Sequence, residues 1–400
     1  RNKLRRSIND CWKAIYHNLG RNKEQPLDDD RFLLMHYFVY FEKTILDESQ
    51  TDEPLRYRRL YRADYASDLL EKRFIPKNVA ADATPDVRIS LKDVYQYVSS
   101  LQEAVEMWYK MYNPLTTDLS PDTQMWLDKL NRIRMDPFQP LVLVFLQRVP
   151  AESRRIAFLQ AVERHLFILS LFGRNFFRGY PYVEIDPKIL QLAIDLSNNK
   201  ITGEKVTRAL SDATSTVLKQ LHFIKDIQAS FRSEGFYDWT GIRYFLFEYN
   251  LDLQSRSKTE RPKIFWPEFT EQKSDFVSIE HIYPQQARHQ YWRSRFDDLT
   301  QKQRTALRNS LGNLLPLSKP KNSSLSNKPF PEKVDGKGDL VVGYRYGCYA
   351  ENEVAKATDW TTQEILKRGI KMLGFMEKRW GLELGDDSQK KLMLGLDFMK

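Results

Sequence analysis

At 400 residues the chain is long enough for two or three domains, each with its own core. Its 62 Lys+Arg against 53 Asp+Glu give a net charge of +9, which favours polyanionic partners by concentrating phosphate near the surface. Two cysteines, Cys11 and Cys348, exclude a disulfide framework or a cysteine-rich zinc site built within the chain. No run reaches the roughly 18 apolar residues of a membrane span, so the expectation is a soluble protein of the reducing cytoplasm, with no membrane partner.

Taken in chain order, the apolar pattern is helical almost throughout residues 1–255. Leu4, Ile8, Trp12, Ile15 and Leu19 already have helical spacing, so the chain opens inside an element and reads as part of a longer protein. Breaks fall at Pro54, Pro76, Pro85, Pro114, Pro137 and Pro150. Ser90 with Asp93 predicts a capped helix whose stripe runs through Val98, Leu101, Val105 and Trp108. Ser120-Pro121 starts another helix, and two more apolar segments, 140–149 and 153–172, have apolar residues on most sides and predict buried helices. Trp12, Trp108, Trp126 and Tyr109 are core candidates. His17, His36, His165 and His222 lie in helical patterns without ligand-spaced partners and read as packing or surface residues.

A polar, charged stretch at 254–262 predicts an exposed loop or linker and divides a helical domain, 1–255, from a second domain, 256–400. Beyond it, 264–266 and 276–282 read as short strands, the second rich in β-branched residues. Thr361 and Glu364 have capping-box spacing, with Ile365, Leu373, Met376 and Trp380 on one face of the helix that follows.

The chemistry-bearing residues lie in this second part. Glu280 and His281 stand side by side at the end of a predicted strand stopped by Pro284, and neighbouring strand residues face opposite sides. One can therefore reach a metal while the other reaches a water, a division suited to phosphodiester hydrolysis. Asn313 follows in a second apolar stretch, then Asn322 near a helical turn; together these are the parts of a ββα-metal site. Carboxylate and amide oxygens are hard donors, appropriate to Mg²⁺, with Mn²⁺ as the alternative. Alone, a Glu-His pair is usually an ordinary surface or core feature, and only the ordered arrival of the two asparagines makes it a site. Lys319, Lys321, Lys328 and Lys333 flank it, and Arg288, Arg293 and Arg295 follow the histidine. They are candidate DNA-phosphate contacts, Lys319, Lys321, Lys328 and Arg288 foremost.

The segments Glu280-His281-Ile282-Tyr283-Pro284, Leu311-Gly312-Asn313-Leu314 and Asn322 to Phe330 resemble, in order, the HNH nuclease domain that ends GmrSD-type modification-dependent restriction endonucleases. The preceding helical region resembles that family's middle section. The resemblance implies a mainly α protein, a helical domain followed by an α+β HNH domain of the ββα-metal type. It implies a metal-dependent DNA endonuclease, nicking or cutting both strands, that restricts modified phage DNA. In that frame His281 is the general base, Glu280 and Asn322 bind the cation, and Asn313 braces the loop carrying the histidine. Asn327 is the alternative to Asn322. Full-length members begin with a ParB-like nucleotide-hydrolysing domain whose motif is absent from these residues, so that domain or a partner subunit is an expected partner. The competing expectation is an inactive HNH fold that only binds DNA or a partner.

Overall fold

The computed structural model describes residues 2–21, 26–42, 62–80, 89–172, 187–220, 222–258, 261–266, 277–337 and 341–399; Pro54, Pro85, Thr259, Glu260 and Phe276 fall outside them. The chain is mainly helical, and among the described residues no helix is long and apolar enough to cross a membrane. These residues form two compact units, 2–166 with 187–213, and 167–172 with 214–399.

In the first unit the helix Leu91–Tyr112 is packed by Asn2–Gly20 and Gln139–Arg148. Its start is fixed locally: the Asp93 amide donates to Ser90 Oγ at 3.2 Å, and the Ser90 amide donates to the Asp93 carboxylate at 2.8 Å. Val98, Leu101, Val105 and Trp108 are then buried as one stripe. Leu141 to Leu146 are buried on every side, as expected of an interior helix. In Asn2–Gly20 the buried stripe runs through Cys11, Ile15 and Leu19, so Trp12 lies off it, 41% exposed and stacked on Tyr16, and is not a core residue. His36 is buried beside Ser100 Oγ, 3.0 Å from its Nε2, and burial lowers its pKa to about 3.

The second unit is built around the helix Thr362–Trp380, which begins with the expected Thr361–Glu364 capping box. Ile365, Leu373, Met376 and Trp380 are buried, and Trp380 stacks on Phe167 with ring centroids 3.5 Å apart. The helix Ile242–Ser255 belongs to this unit: Asn250 Oδ1 accepts from the Ala350 amide at 3.0 Å and Tyr249 Oη donates to Glu353 at 2.8 Å. The polar stretch after residue 254 is thus the exit of a helix packed within the unit. Residues 261–265 form no strand, although Ile264 is buried. Val277–His281 instead pairs antiparallel with Leu314–Ser318, with His281 opposite Leu314 and Val277 opposite Ser318, and Gly336–Lys337 pairs with Val341–Val342.

Candidate active site

The two-stranded ladder places the functional side chains by its period of two. Pro316 lacks an amide hydrogen, yet it is tolerated because each strand of a two-stranded ladder has an open edge. Directly after Ser318 the chain turns into the helix Lys319–Leu325, with Pro320 in its first turn, and that helix packs on both strands. Ser278 and Glu280 share one face of the first strand; Ile279 and His281 share the other.

On the first face Asn322 Nδ2 donates to Ser278 Oγ at 2.7 Å, which brings Asn322 against the strand two residues before Glu280. Asn327 is exposed, and its backbone carbonyl accepts from the buried Trp292 Nε1 at 3.1 Å. Glu280 is 5% exposed; its Oε1 accepts from Lys333 Nζ at 2.5 Å and from Tyr344 Oη at 3.4 Å. Burial pushes the Glu280 carboxyl up and the Lys333 ammonium down, and each opposes the shift of the other.

On the second face His281 is 6% exposed beneath the ring of Tyr237, whose centroid lies 4.3 Å from its own. Its Nε2 is buried with no hydrogen-bond partner among the described residues. Burial lowers its pKa to about 4; the charges of Lys333 and Arg308 add to the effect, while the neighbouring Asn309 side chain and the charge of Asp238 oppose it. The imidazole is therefore neutral at pH 7.

Asn313 is fully buried at the start of the second strand and grips the loop after His281. Its Oδ1 accepts from the Tyr283 amide at 2.7 Å and from Trp360 Nε1 at 3.2 Å. Its Nδ2 donates to the carbonyls of Tyr283 and Arg308, both at 3.0 Å, and its own carbonyl accepts from the Ile282 amide at 3.0 Å. Arg368 donates to the carbonyls of Gly312 and Leu314 at 2.8 Å, locking this turn to the long helix.

The basic candidates separate. Arg288 and Lys319 are exposed and Lys328 is half-buried, but Lys321 is ion-paired to the buried Glu351 and is not a free phosphate contact. Arg293 pairs with Asp297 and Arg295 with Asp359. Lys333 is 0% exposed and turned inward. The burial of Lys333 had a signal in the sequence, since Phe330, Lys333 and Val334 have helical spacing on one apolar face. Tyr237 and Asn309 had none, because nothing local ties them to His281.

As donors for a divalent cation, Glu280 and Asn322 offer hard oxygens on the same strand face. Among the described residues the site has no set of three acidic, His or Cys ligands; the carboxylates that cluster closely enough are Asp28, Asp29 and Asp30 of the other unit. An ion held by few protein oxygens, with water and phosphate completing its shell, is the usual situation of Mg²⁺, so the residues fit that group.

Two paired strands with a helix packed on them thus set a neutral buried imidazole next to a buried carboxylate. Residues 222–375 match the family model described as GmrSD restriction endonucleases, C-terminal domain. The matched segment lies wholly inside the second compact unit. No curated protein matches the chain.

Proposed function

We propose that the second unit is a divalent-cation-dependent DNA endonuclease of the HNH, ββα-metal type, serving restriction of modified foreign DNA such as that of phages. The observation that carries the reading is His281: neutral, next in sequence to Glu280, with its buried Nε2 lacking a partner among the described residues. A neutral imidazole with an unengaged nitrogen can accept a proton from water. Glu280 and Asn322 are the residues to hold Mg²⁺; Asn322 is preferred over Asn327 because it sits against Ser278 on the Glu280 face. The cation, when bound, supplies neutralisation of charge on the scissile phosphate and the leaving oxygen. Asn313 keeps the loop after His281 in place, and Arg288, Lys319 and Lys328 supply salt-sensitive contacts to the DNA backbone. The cytoplasm is the proposed location, with a ParB-like domain or subunit as a further partner.

A second reading, an inactive fold that only binds DNA or a partner, draws on the Tyr237 ring over His281 and on the pairing of Glu280 with Lys333. Plasmid nicking with Mg²⁺ by the intact chain and by His281→Ala separates them. Loss of a general base predicts a fall of about 10²- to 10⁴-fold in rate. Equal cleavage by both proteins overturns the assignment.

A further inference from the structure

Lys333 is a lysine with no exposed surface, in the helix Phe330–Asp335, and a buried ammonium is costly unless each of its donors is satisfied. An ammonium has three N–H groups. Lys333 Nζ has three acceptors, Glu280 Oε1 at 2.5 Å, the His281 carbonyl at 3.4 Å and the Ile282 carbonyl at 3.2 Å. Its charge also lies 6.0 Å from the ring centroid of Trp292, whose Nε1 holds the carbonyls of Asn327 and Lys328. Among the described residues every acceptor of Lys333 thus belongs to the segment 280–282, and two of them are the consecutive main-chain carbonyls that follow the histidine. A lysine kept only to neutralise Glu280 needs one of these contacts. The two carbonyls are explained by a fixed backbone.

We propose that Lys333 is a positioning residue for the nuclease reaction: its buried ammonium clamps Glu280 and the His281–Ile282 backbone together, and so sets where the His281 imidazole stands. This deepens, and rests on, the reading of His281 as the base. Asn313 holds the same loop one residue further on, through the backbone of Tyr283, so the histidine is fixed between two buried side chains from different elements. Lys333 touches neither water nor phosphate in this role. Its removal therefore changes the rate of the chemical step and leaves the affinity for DNA alone.

The test uses the intact 400-residue chain with its six histidines ¹³C-labelled at Cε1, the His281 signal being assigned by its absence in His281→Ala. Spectra are recorded without metal, and plasmid nicking is measured with Mg²⁺. Because a misplacement of about 1 Å costs about 100-fold, Lys333→Met is expected to lower kcat by about that factor with KM for DNA within about twofold, and to move or broaden the His281 signal. Tyr344→Phe, which loses a contact to the same carboxylate but none to the His281 backbone, is expected to keep the His281 signal in place. A raised KM with kcat intact makes Lys333 a phosphate contact and overturns the proposal, as does a wild-type His281 signal in Lys333→Met. If Lys333→Met fails to fold, Glu280→Gln/Lys333→Met removes both buried charges, and its metal-free His281 signal decides: unchanged overturns, shifted supports. Full nicking by His281→Ala instead sinks the assignment of the base while leaving the spectroscopic result standing.

Discussion

Asn313→Ala is the sharpest perturbation of the candidate site, because its consequences can be counted from hydrogen bonds. The substitution removes the acceptor of two buried donors, the Tyr283 amide and Trp360 Nε1, and the donor to the carbonyls of Tyr283 and Arg308. A buried N–H left without a partner costs about 1–3 kcal/mol, whereas a carbonyl, having two lone pairs, is more often tolerated. Two orphaned donors then put the loss at about 4 kcal/mol, well above the usual effect of a point substitution. Urea unfolding followed by tryptophan fluorescence measures it, and plasmid nicking should fall in parallel as the loop after His281 loosens. Asn313→Asp supplies a second, chemically distinct check. Its Oδ1 still accepts both donors, but its second oxygen faces two carbonyls and is best protonated, so the folded-state pKa lies above the unfolded value. Such a group adds stability as pH falls through the folded pKa, and Asn313→Asp should approach wild-type stability in acid. A loss below about 1 kcal/mol for the alanine variant would refute the bracing role.

Two further outcomes follow from the same geometry. With a pKa lowered to about 4, His281 stays unprotonated across the range in which a solvent-exposed histidine titrates, so single-turnover nicking should show no acid limb near pH 6.5; one centred there refutes the buried base. The sign for stability follows, since between about pH 6.5 and 4 the unfolded chain binds a proton that the folded chain refuses. Unfolding free energy should therefore drop by about 3 kcal/mol as pH falls through that window, a drop His281→Ala removes. Lys319→Ala and Arg288→Ala should each reduce the salt slope of DNA binding by about one, while Lys321→Ala should leave it unchanged and lower stability through the stranded Glu351; a reduced slope for Lys321→Ala would refute that distinction.

What could be read in the sequence was what is encoded locally. The capping boxes at Ser90 and Thr361 depend on residues three apart and stand as expected, as does the strand ending at His281. Residues 264–266 carry the same apolar signal but find no ladder partner, and burial alone satisfies Ile264. Trp12 shows the resolution limit of a stripe: it is adjacent in sequence to the buried Cys11, and about 100° of helical rotation per residue takes it out to the surface. The cover over His281 was hidden for a different reason. Tyr237 comes from the loop between Phe223–Glu234 and Ile242–Ser255, helices whose composition matches the first part of the chain although they pack in the second unit.

The same local and non-local split explains why Glu280 and His281 must be neighbours. Adjacent residues on a strand face opposite sides, so one strand delivers a carboxylate to Lys333 and an imidazole to Tyr237 and Asn309. A slip of one residue against Leu314–Ser318 would exchange them, setting the imidazole beside the buried ammonium and the carboxylate under the Tyr237 ring, each with the wrong partner. The ladder alone is too short to prevent this, for two strands of five residues are marginal in water. The restraint lies immediately beyond the ladder, where Lys333 holds the carbonyls of His281 and Ile282 while Asn313 holds both polar groups of the Tyr283 backbone. The register that keeps carboxylate and imidazole apart is thus held by Lys333 and Asn313, and under the proposed function substitutions at 313 and 333 are expected to act on catalysis as strongly as on stability.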